Sequence, residues 1–182
     1  MERKFVVAVD MDDTLYSFVK PLLHKYNLWY NDNVHYEDIT DWNIHQFLKP
    51  ECENVFTLCT AGFFDSLHID KDVVDWLTIL NEIADLKFVS ACSSETVPWR
   101  SMLLKRELPF FRDDMLVKLS EKSLIKANYL VDDNEDHCNA TDAKAFLISR
   151  PWNGNNGIDI EHALFRIVLS LLKKGGVIND LS

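Results

Sequence analysis

The sequence predicts an α/β protein with a three-layer, Rossmann-like parallel sheet and a small inserted helical lobe. Three features lead to this fold class: short apolar runs alternating with helical patterns, a long interval without a strong strand pattern, and carboxylates placed where strands end. Strands that alternate with helices form parallel sheets covered on both faces. The chain has 182 residues, of which 47% are hydrophobic. That length suffices for one solid core and a small inserted lobe.

Five apolar runs predict the strands of the sheet. The first, Phe5–Val9, is short and nearly all apolar, and it is bounded by Lys4 and Asp10. Such a run is typical of a strand buried on both faces. Similar runs recur at Lys87–Ala91, Met115–Leu119, Tyr129–Val131 and Ala145–Ile148.

Helical patterns lie between the later strands and after the last one. Asp70 can cap a helix with an apolar face over residues 73–84. Pro98 suits the first turn of a second helix. The clearest helical stripe spans residues 160–172, and Gly175 follows it as a stop signal.

The interval between the first strand and the Asp70 helix contains no strong strand pattern. It spans residues 16–69 and is rich in aromatic residues. Its length exceeds that of an ordinary connection between a strand and a helix. We therefore expect residues 16–69 to form an inserted helical cap lobe, and residues 1–15 and 70–182 to form the α/β core.

Charge and composition narrow the class of partner. The formal net charge is −10 at pH 7, and a surface of that sign repels nucleic acid and anionic lipid at long range. No stretch approaches the ~18 apolar residues of a membrane helix, and the apolar run at the start is too short for a signal peptide. We expect no nucleic-acid polymer and no membrane as partner, and a homodimer is compatible with the sequence.

The cysteines indicate the compartment. None of the four belongs to a C-x-x-C pair, and no Cys/His run has zinc-ligand spacing. Free thiols are typical of a reducing compartment. The sequence therefore predicts a cytoplasmic protein.

Carboxylates directly follow two of the predicted strands. Asp10, Asp12 and Asp13 come after the first strand, and Asp132 and Asp133 after the fourth. Ligands bind at the carboxyl ends of strands in open parallel sheets. If the two strands are neighbours, the crowded carboxylates are costly without a cation, and a set of oxygen ligands favours Mg²⁺. The alternative is that these residues only cap the helices that follow.

Hydroxyl and ammonium groups suited to a phosphate lie on two other segments. Ser93 and Ser94 follow the second strand, where a capping hydroxyl and nearby N–H groups can also bind phosphate. Lys122 lies ten positions before Asp132 and offers a compact positive charge. From the residues alone, Lys126 is an equal candidate, and either lysine is also explained as a solvated surface residue.

The order of Asp-x-Asp, a serine after a strand, a lysine and Asp-Asp resembles the haloacid dehalogenase superfamily of phosphotransferases. Within it, the chain resembles the 5'(3')-deoxyribonucleotidase family over nearly its whole length. The stretches that carry the resemblance are VDMDDTLYSF, AGFFDSL, ACSSE, EKSLIKANYLVDDNEDH and ISRPWN. The resemblance implies a haloacid dehalogenase-like core with an inserted cap. It also implies a magnesium-dependent phosphomonoester hydrolase that acts on deoxyribonucleoside or ribonucleoside monophosphates.

The resemblance assigns roles to the acidic residues. It makes Asp10 the nucleophile that forms an aspartyl-phosphate, and Asp12 the general acid and base. Asp10, the main-chain carbonyl of Asp12 and Asp132 would ligate Mg²⁺. Asp133 would lie next to these ligands without binding the metal itself, or it would bind a water molecule held by the metal.

The resemblance also assigns the phosphate contacts. The phosphate-binding lysine of the family stands ten residues before the Asp-Asp pair, which selects Lys122 over Lys126. Ser93 would hold the transferring phosphoryl group, with Ser94 beside it. Asp13 is a departure, because this subfamily often has glycine there.

Aromatic residues of the interval 16–69 are candidates for a nucleoside pocket. Phe18, eight residues after Asp10, matches a family position that lines this pocket. The other candidates are Trp42, Phe47, Phe63 and Phe64. The competing interpretation is that these side chains form the core of the lobe itself.

Two further functional hypotheses compete with a nucleotidase. The first keeps the site and changes the substrate to a sugar phosphate, another small metabolite or a nucleic-acid end, of which the negative charge disfavours the last. The second is a catalytically silent binding or regulatory protein that retains the fold. The intact set of Asp10, Asp12, Ser93, Lys122 and Asp132 argues against a silent protein.

Overall fold

A computed structural model describes residues 5–119 and 124–175, and its centre is a five-stranded sheet. The strands cross it in the order β3-β2-β1-β4-β5, and every pair is parallel. The predicted fold class is therefore confirmed, and each predicted strand is present with its ends shifted by one or two residues at most. The strands are β1 Val6–Asp10, β2 Asp85–Ser90, β3 Leu116–Lys118, β4 Tyr129–Asp132 and β5 Lys144–Leu147.

The most apolar strands lie in the middle of the sheet. Every residue of β4 is buried, and so are four of the five residues of β1. The edge strands β3 and β5 are only partly covered. Because central strands of a parallel sheet have helices on both faces, a continuous apolar run is what such a position requires.

The described residues include six α-helices. Of these, α3 begins after Asp70, α4 carries a proline in its first turn, and α6 ends at Gly175, all as predicted. The side chain of Asp70 makes no capping hydrogen bond, however, so its predicted capping contact is absent. The two long helices α3 and α6 pack against each other on one face of the sheet. The helices are α1 Val19–Tyr30, α2 Ala61–Asp65, α3 Lys71–Ile83, α4 Val97–Glu107, α5 Glu135–Ala140 and α6 Ile160–Lys174.

The segment between β1 and α3 is helical, as expected for residues 16–69. It contains α1, α2 and three short 3₁₀-helices at Tyr36–Asp38, Ile44–Phe47 and Val55–Leu58. One buried apolar cluster runs from the sheet into this segment and includes both Leu80 of α3 and Tyr26 of α1. The division into a core and a separate cap lobe stays a prediction.

None of the helices in the described part of the chain combines the length and the apolar run that crossing a lipid bilayer requires.

Candidate active site

The two acidic loops meet at the carboxyl end of the sheet. Asp10 is the last residue of β1 and Asp132 the last of β4, and Val9 pairs with Val131 one position earlier. One carboxylate oxygen from each of Asp10, Asp132 and Asp133 lies within 4.8 Å of the other two, and the three residues are buried. Adjacent parallel strands thus bring together residues that lie more than a hundred positions apart.

The side chain of Asp132 is oriented by the start of α5. The backbone N–H of Asn134 donates a hydrogen bond to Asp132 Oδ1 at 2.9 Å. The imidazole Nδ1 of His137 lies 3.3 Å from Asp132 Oδ2. Asn134 also caps α5 by accepting hydrogen bonds from the N–H groups of Asp136 and His137. The capped helix therefore holds Asp132 in one orientation.

Asp133 is fixed by the loop that follows β1 and the loop that follows β5. Thr14 Oγ1 donates to Asp133 Oδ1 at 3.1 Å, and Trp152 Nε1 donates to Asp133 Oδ2 at 2.8 Å. The amide of Asn153 donates to the carbonyl of Asp133 at 2.9 Å and to that of Ile148 at 2.7 Å. Asp133 therefore ties the acidic cluster to the segment ISRPWN.

Replacing Asn153 by alanine is expected to lower the free energy of unfolding by about 2 kcal/mol or more. Asn153 is buried, and its Oδ1 also accepts the N–H of Arg150 at 3.0 Å, so the change removes three hydrogen bonds to the backbone, two of them buried. Denaturation by urea measures the loss. Asn139→Ala, at an exposed position of α5, is the control and should change the unfolding free energy by about 0.5 kcal/mol or less. Equal losses in both variants would contradict the prediction.

Both carboxylate oxygens of Asp12 have partners. The phenol of Tyr16 donates to Oδ1 at 2.7 Å, and Arg100 Nη2 donates to Oδ2 at 2.5 Å. Burial, and then the nearby Asp12 carboxylate, raise the pKa of Tyr16 well above its usual value, so the phenol keeps its proton. Burial alone would lower the pKa of Arg100. Neighbouring groups, the Asp12 carboxylate above all, together raise the pKa by more than burial lowers it, so the guanidinium stays charged.

Asp13 occupies a left-handed backbone position, with φ at 56°. Aspartate tolerates this conformation better than most residues do. Its carboxylate accepts hydrogen bonds from the N–H groups of Phe18 and Val19, which begin α1. Burial raises the pKa of Asp13 to about 7, and these two hydrogen bonds oppose the rise. Asp13 thus fixes the path of the chain from β1 into α1.

A cavity of about 600 Å³ connects the acidic residues with aromatic side chains from the segment between β1 and α3. Of the described residues that line it, Arg100 is the only lysine or arginine. Its guanidinium lies 4.8 Å from the ring centroid of Phe64 and 5.7 Å from that of Phe18. Six of the predicted site residues line the cavity: Asp10, Asp12, Phe18, Trp42, Phe64 and Ser93.

The other predicted site residues lie elsewhere or are not described. Ser94 Oγ accepts a hydrogen bond from Lys118 Nζ at 2.6 Å and does not line the cavity. Phe63 is buried edge-on against Phe18, with ring centroids 5.3 Å apart, and Phe47 packs against the core. Lys122 lies outside the described residues, so its role stays a prediction.

Three residues that line the cavity were not predicted as site residues, although two of them, His137 and Trp152, lie in sequence segments that carried the resemblance. Arg100 is separated from Asp12 by 88 positions, and nothing in α4 distinguishes it from a solvated arginine. His137 and Trp152 flank the exposed ring of Trp42, at centroid distances of 6.4 and 6.2 Å. Trp152 lies in the segment ISRPWN that carried the resemblance, so its motif was a usable signal even though its contact was not foreseen.

Comparisons with known proteins show the family of the chain. Residues 4–161 match the family model described as "5' nucleotidase, deoxy (Pyrimidine), cytosolic type C protein". The chain belongs to this family. It is 26% identical over 134 residues to a 5'(3')-deoxyribonucleotidase of Clostridium acetobutylicum, covering 72% of this chain and 74% of the relative. The resemblance stated from the sequence is therefore confirmed, and the chain is a nucleotidase, an enzyme that cleaves phosphomonoesters.

Solved structures confirm the fold of this nucleotidase. A haloacid dehalogenase-type phosphatase from Thermococcus onnurineus superposes with a TM-score of 0.50 at 17% identity, covering 90% of this chain and 97% of that one. Protein tyrosine kinase A of Mycobacterium tuberculosis superposes with a TM-score of 0.57 at 14% identity, covering 81% and 84%. At such low identities the similarity speaks for the fold and not for the substrate.

Proposed function

We propose that this nucleotidase is a Mg²⁺-dependent hydrolase of deoxyribonucleoside and ribonucleoside monophosphates, with Asp10 as its nucleophile. One observation carries the proposal: three buried carboxylates cluster at the end of the sheet, and one of them, Asp10, lines a cavity that also contains aromatic side chains. The acidic cluster suits a metal and a phosphate, and the aromatic side chains suit a base. The name of the Clostridium relative supports the same substrate class.

The acidic cluster fits a divalent metal ion. Buried carboxylates this close repel one another, and a cation offsets that repulsion. The donors are all oxygen atoms, which a hard ion such as Mg²⁺ prefers. Asp10, Asp132 and the main-chain carbonyl of Asp12 would hold the ion, with Asp133 behind them. When bound, the ion supplies positive charge that offsets the charge of the phosphoryl oxygens.

The reaction proceeds in two steps on residues of this chain. A carboxylate oxygen of Asp10 attacks phosphorus, the bond from phosphorus to the nucleoside oxygen breaks, and Asp12 gives a proton to that oxygen. Asp12 then takes a proton from the water that attacks the aspartyl-phosphate, which releases inorganic phosphate and restores Asp10. Acid–base help of this kind contributes about 10² to 10⁴ in rate. Ser93 and Lys122 would hold the phosphoryl oxygens.

The aromatic side of the cavity receives the leaving nucleoside. Phe18, Trp42 and Phe64 line it, and stacking a base on an aromatic ring contributes ~1–3 kcal/mol. Residues 16–69 would act as a cap that excludes water during the reaction. Excluding water strengthens the electrostatic contacts to the phosphate, because the surroundings then screen them less.

Phosphate release from a panel of substrates tests the proposal. Deoxyribonucleoside and ribonucleoside monophosphates should be cleaved with kcat/KM at least about tenfold above that for sugar phosphates of similar charge, because only nucleotides stack in the cavity. EDTA should stop turnover, and excess Mg²⁺ should restore it. Equal rates on all substrates would contradict the nucleotide assignment. Full activity in EDTA would contradict the metal assignment.

A further inference from the structure

Tyr16, next to the acidic loop, makes a contact that the proposed mechanism does not use. Its ring is buried and its phenol donates to Asp12 Oδ1 at 2.7 Å. Its backbone forms an isolated bridge with Asp12, and its carbonyl accepts the N–H of Asp13. The turn from Asp12 to Tyr16 is therefore closed both through the main chain and through the phenol.

Arg100 holds the second oxygen of the same carboxylate. Its Nη2 donates to Asp12 Oδ2 at 2.5 Å, and its Nη1 donates to Thr96 Oγ1 at 2.6 Å. The side chain of Arg100 is buried, and its guanidinium lies over the rings of Phe18 and Phe64. A carboxylate with a single partner can turn about its terminal bond, whereas one held at both oxygens cannot turn without breaking a contact.

We infer that Tyr16 and Arg100 form a clamp that fixes the orientation of the Asp12 carboxylate for proton transfer. This inference rests on the proposed function, in which Asp12 is the acid and base. Both are positioning residues, since they act through Asp12. A misplacement of about 1 Å in a reacting group can cost a factor of about 10² in rate.

The clamp also explains why a buried arginine is tolerated among the aromatic residues of the cavity. An isolated charge there is costly, but the Asp12 carboxylate and the faces of two rings offset the loss of water. Tyr16 makes the complementary contact without adding charge. The carboxylate is thus held by one charged and one neutral donor, and the Asp12 side chain remains 28% exposed. That exposed part can reach a leaving oxygen or a water molecule.

Tyr16→Phe tests the clamp, because it removes the hydroxyl and keeps the ring. With a deoxyribonucleoside monophosphate, kcat/KM should fall about tenfold or more, since proton transfer to the alkoxide leaving group needs an oriented Asp12. With p-nitrophenyl phosphate, kcat/KM should change by about twofold or less, because its leaving group departs without a proton. A merely structural role would lower both values together, and that result would overturn the inference.

Tyr26→Phe is the matched control. Tyr26 is a buried tyrosine whose phenol donates to Asp32 Oδ2 at 2.6 Å, and neither residue lines the cavity. It should lose stability much as Tyr16→Phe does, while both kcat/KM values stay at the wild-type level. If Tyr26→Phe shows the same dependence on the leaving group, the effect is not specific to Asp12 and the inference is wrong.

A double variant separates the clamp from the reaction as a whole. In an Asp12→Asn background, Tyr16→Phe should cause no further loss on the nucleotide, because Tyr16 acts through the missing carboxylate. Additive losses would overturn the inference.

The outcome of this test does not depend on whether Asp10 is the nucleophile. An inactive Asp10→Asn variant together with a fully active Tyr16→Phe variant would reject only the clamp, whereas an active Asp10→Asn variant would reject the proposed function.

Discussion

Replacing Asp10 by asparagine is expected to reduce phosphate release from a deoxyribonucleoside monophosphate by about 10⁴-fold or more. The amide keeps the size of the side chain but cannot form the covalent bond to phosphorus. The residue is buried at the end of a central strand, where a substitution of equal volume disturbs packing least. Initial rates of phosphate release measure the loss, and mass spectrometry of the quenched enzyme should find no phosphorylated aspartate.

The control for Asp10→Asn is Asp85→Asn. Asp85 is the first residue of β2, so it lies at the amino ends of the strands, away from Asp10. Its half-exposed side chain pairs with Lys87. That variant should retain the wild-type rate, because an exposed ion pair contributes little. If Asp10→Asn kept a rate within about tenfold of the wild type, Asp10 would not be the nucleophile.

Replacing Asp132 by asparagine is expected to weaken metal binding and to lower turnover by about 10²-fold or more at a fixed Mg²⁺ concentration. Asp132 contributes one of the three carboxylates that cluster at the sheet edge. A ligand that binds only the folded state raises the melting temperature, and at a fixed ligand concentration the rise grows with the logarithm of its affinity. The wild-type enzyme should therefore melt at a higher temperature with Mg²⁺ than with EDTA, and the variant should show little of this difference.

Asp142→Asn serves as the control for the metal experiment. Asp142 is an exposed residue between α5 and β5, away from the acidic cluster, so its charge should not affect the Mg²⁺-dependent rise in melting temperature. A full rise in Asp132→Asn, equal to that in Asp142→Asn, would show that Asp132 is not a metal ligand. Titrating Mg²⁺ against the rate gives an independent measure of the same affinity.

The strands could be predicted from the sequence because a strand buried on both faces must be apolar at every position. Runs such as Val6–Val9 and Tyr129–Val131 therefore stand out against the mixed patterns around them. The carboxyl ends of these strands could be predicted as well, because the charged residues Asp10 and Asp132 directly follow the two apolar runs. The order Asp-x-Asp, serine, lysine and Asp-Asp then indicated the family.

The partners of the acidic side chains could not be predicted in the same way. Arg100 reaches Asp12, and Trp152 reaches Asp133, only because α4 and the loop after β5 fold over the end of the sheet. The aromatic residues that line the cavity were predicted only in part: Phe18, Trp42 and Phe64 do so, whereas Phe47 and Phe63 do not. Phe63 and Phe64 are neighbours in sequence, yet only Phe64 lines the cavity, because successive side chains of a helix point in different directions.

By itself, the sequence determined the class of fold, the two strand ends that carry the acidic residues, and the family resemblance, since each of these is written in local patterns of polarity and spacing. Only the tertiary structure decided that β1 and β4 are neighbours, and that Tyr16 and Arg100 hold the same carboxylate. The physical reason is that an apolar pattern marks which face of a strand or helix is buried, but it does not encode which distant element packs against that face.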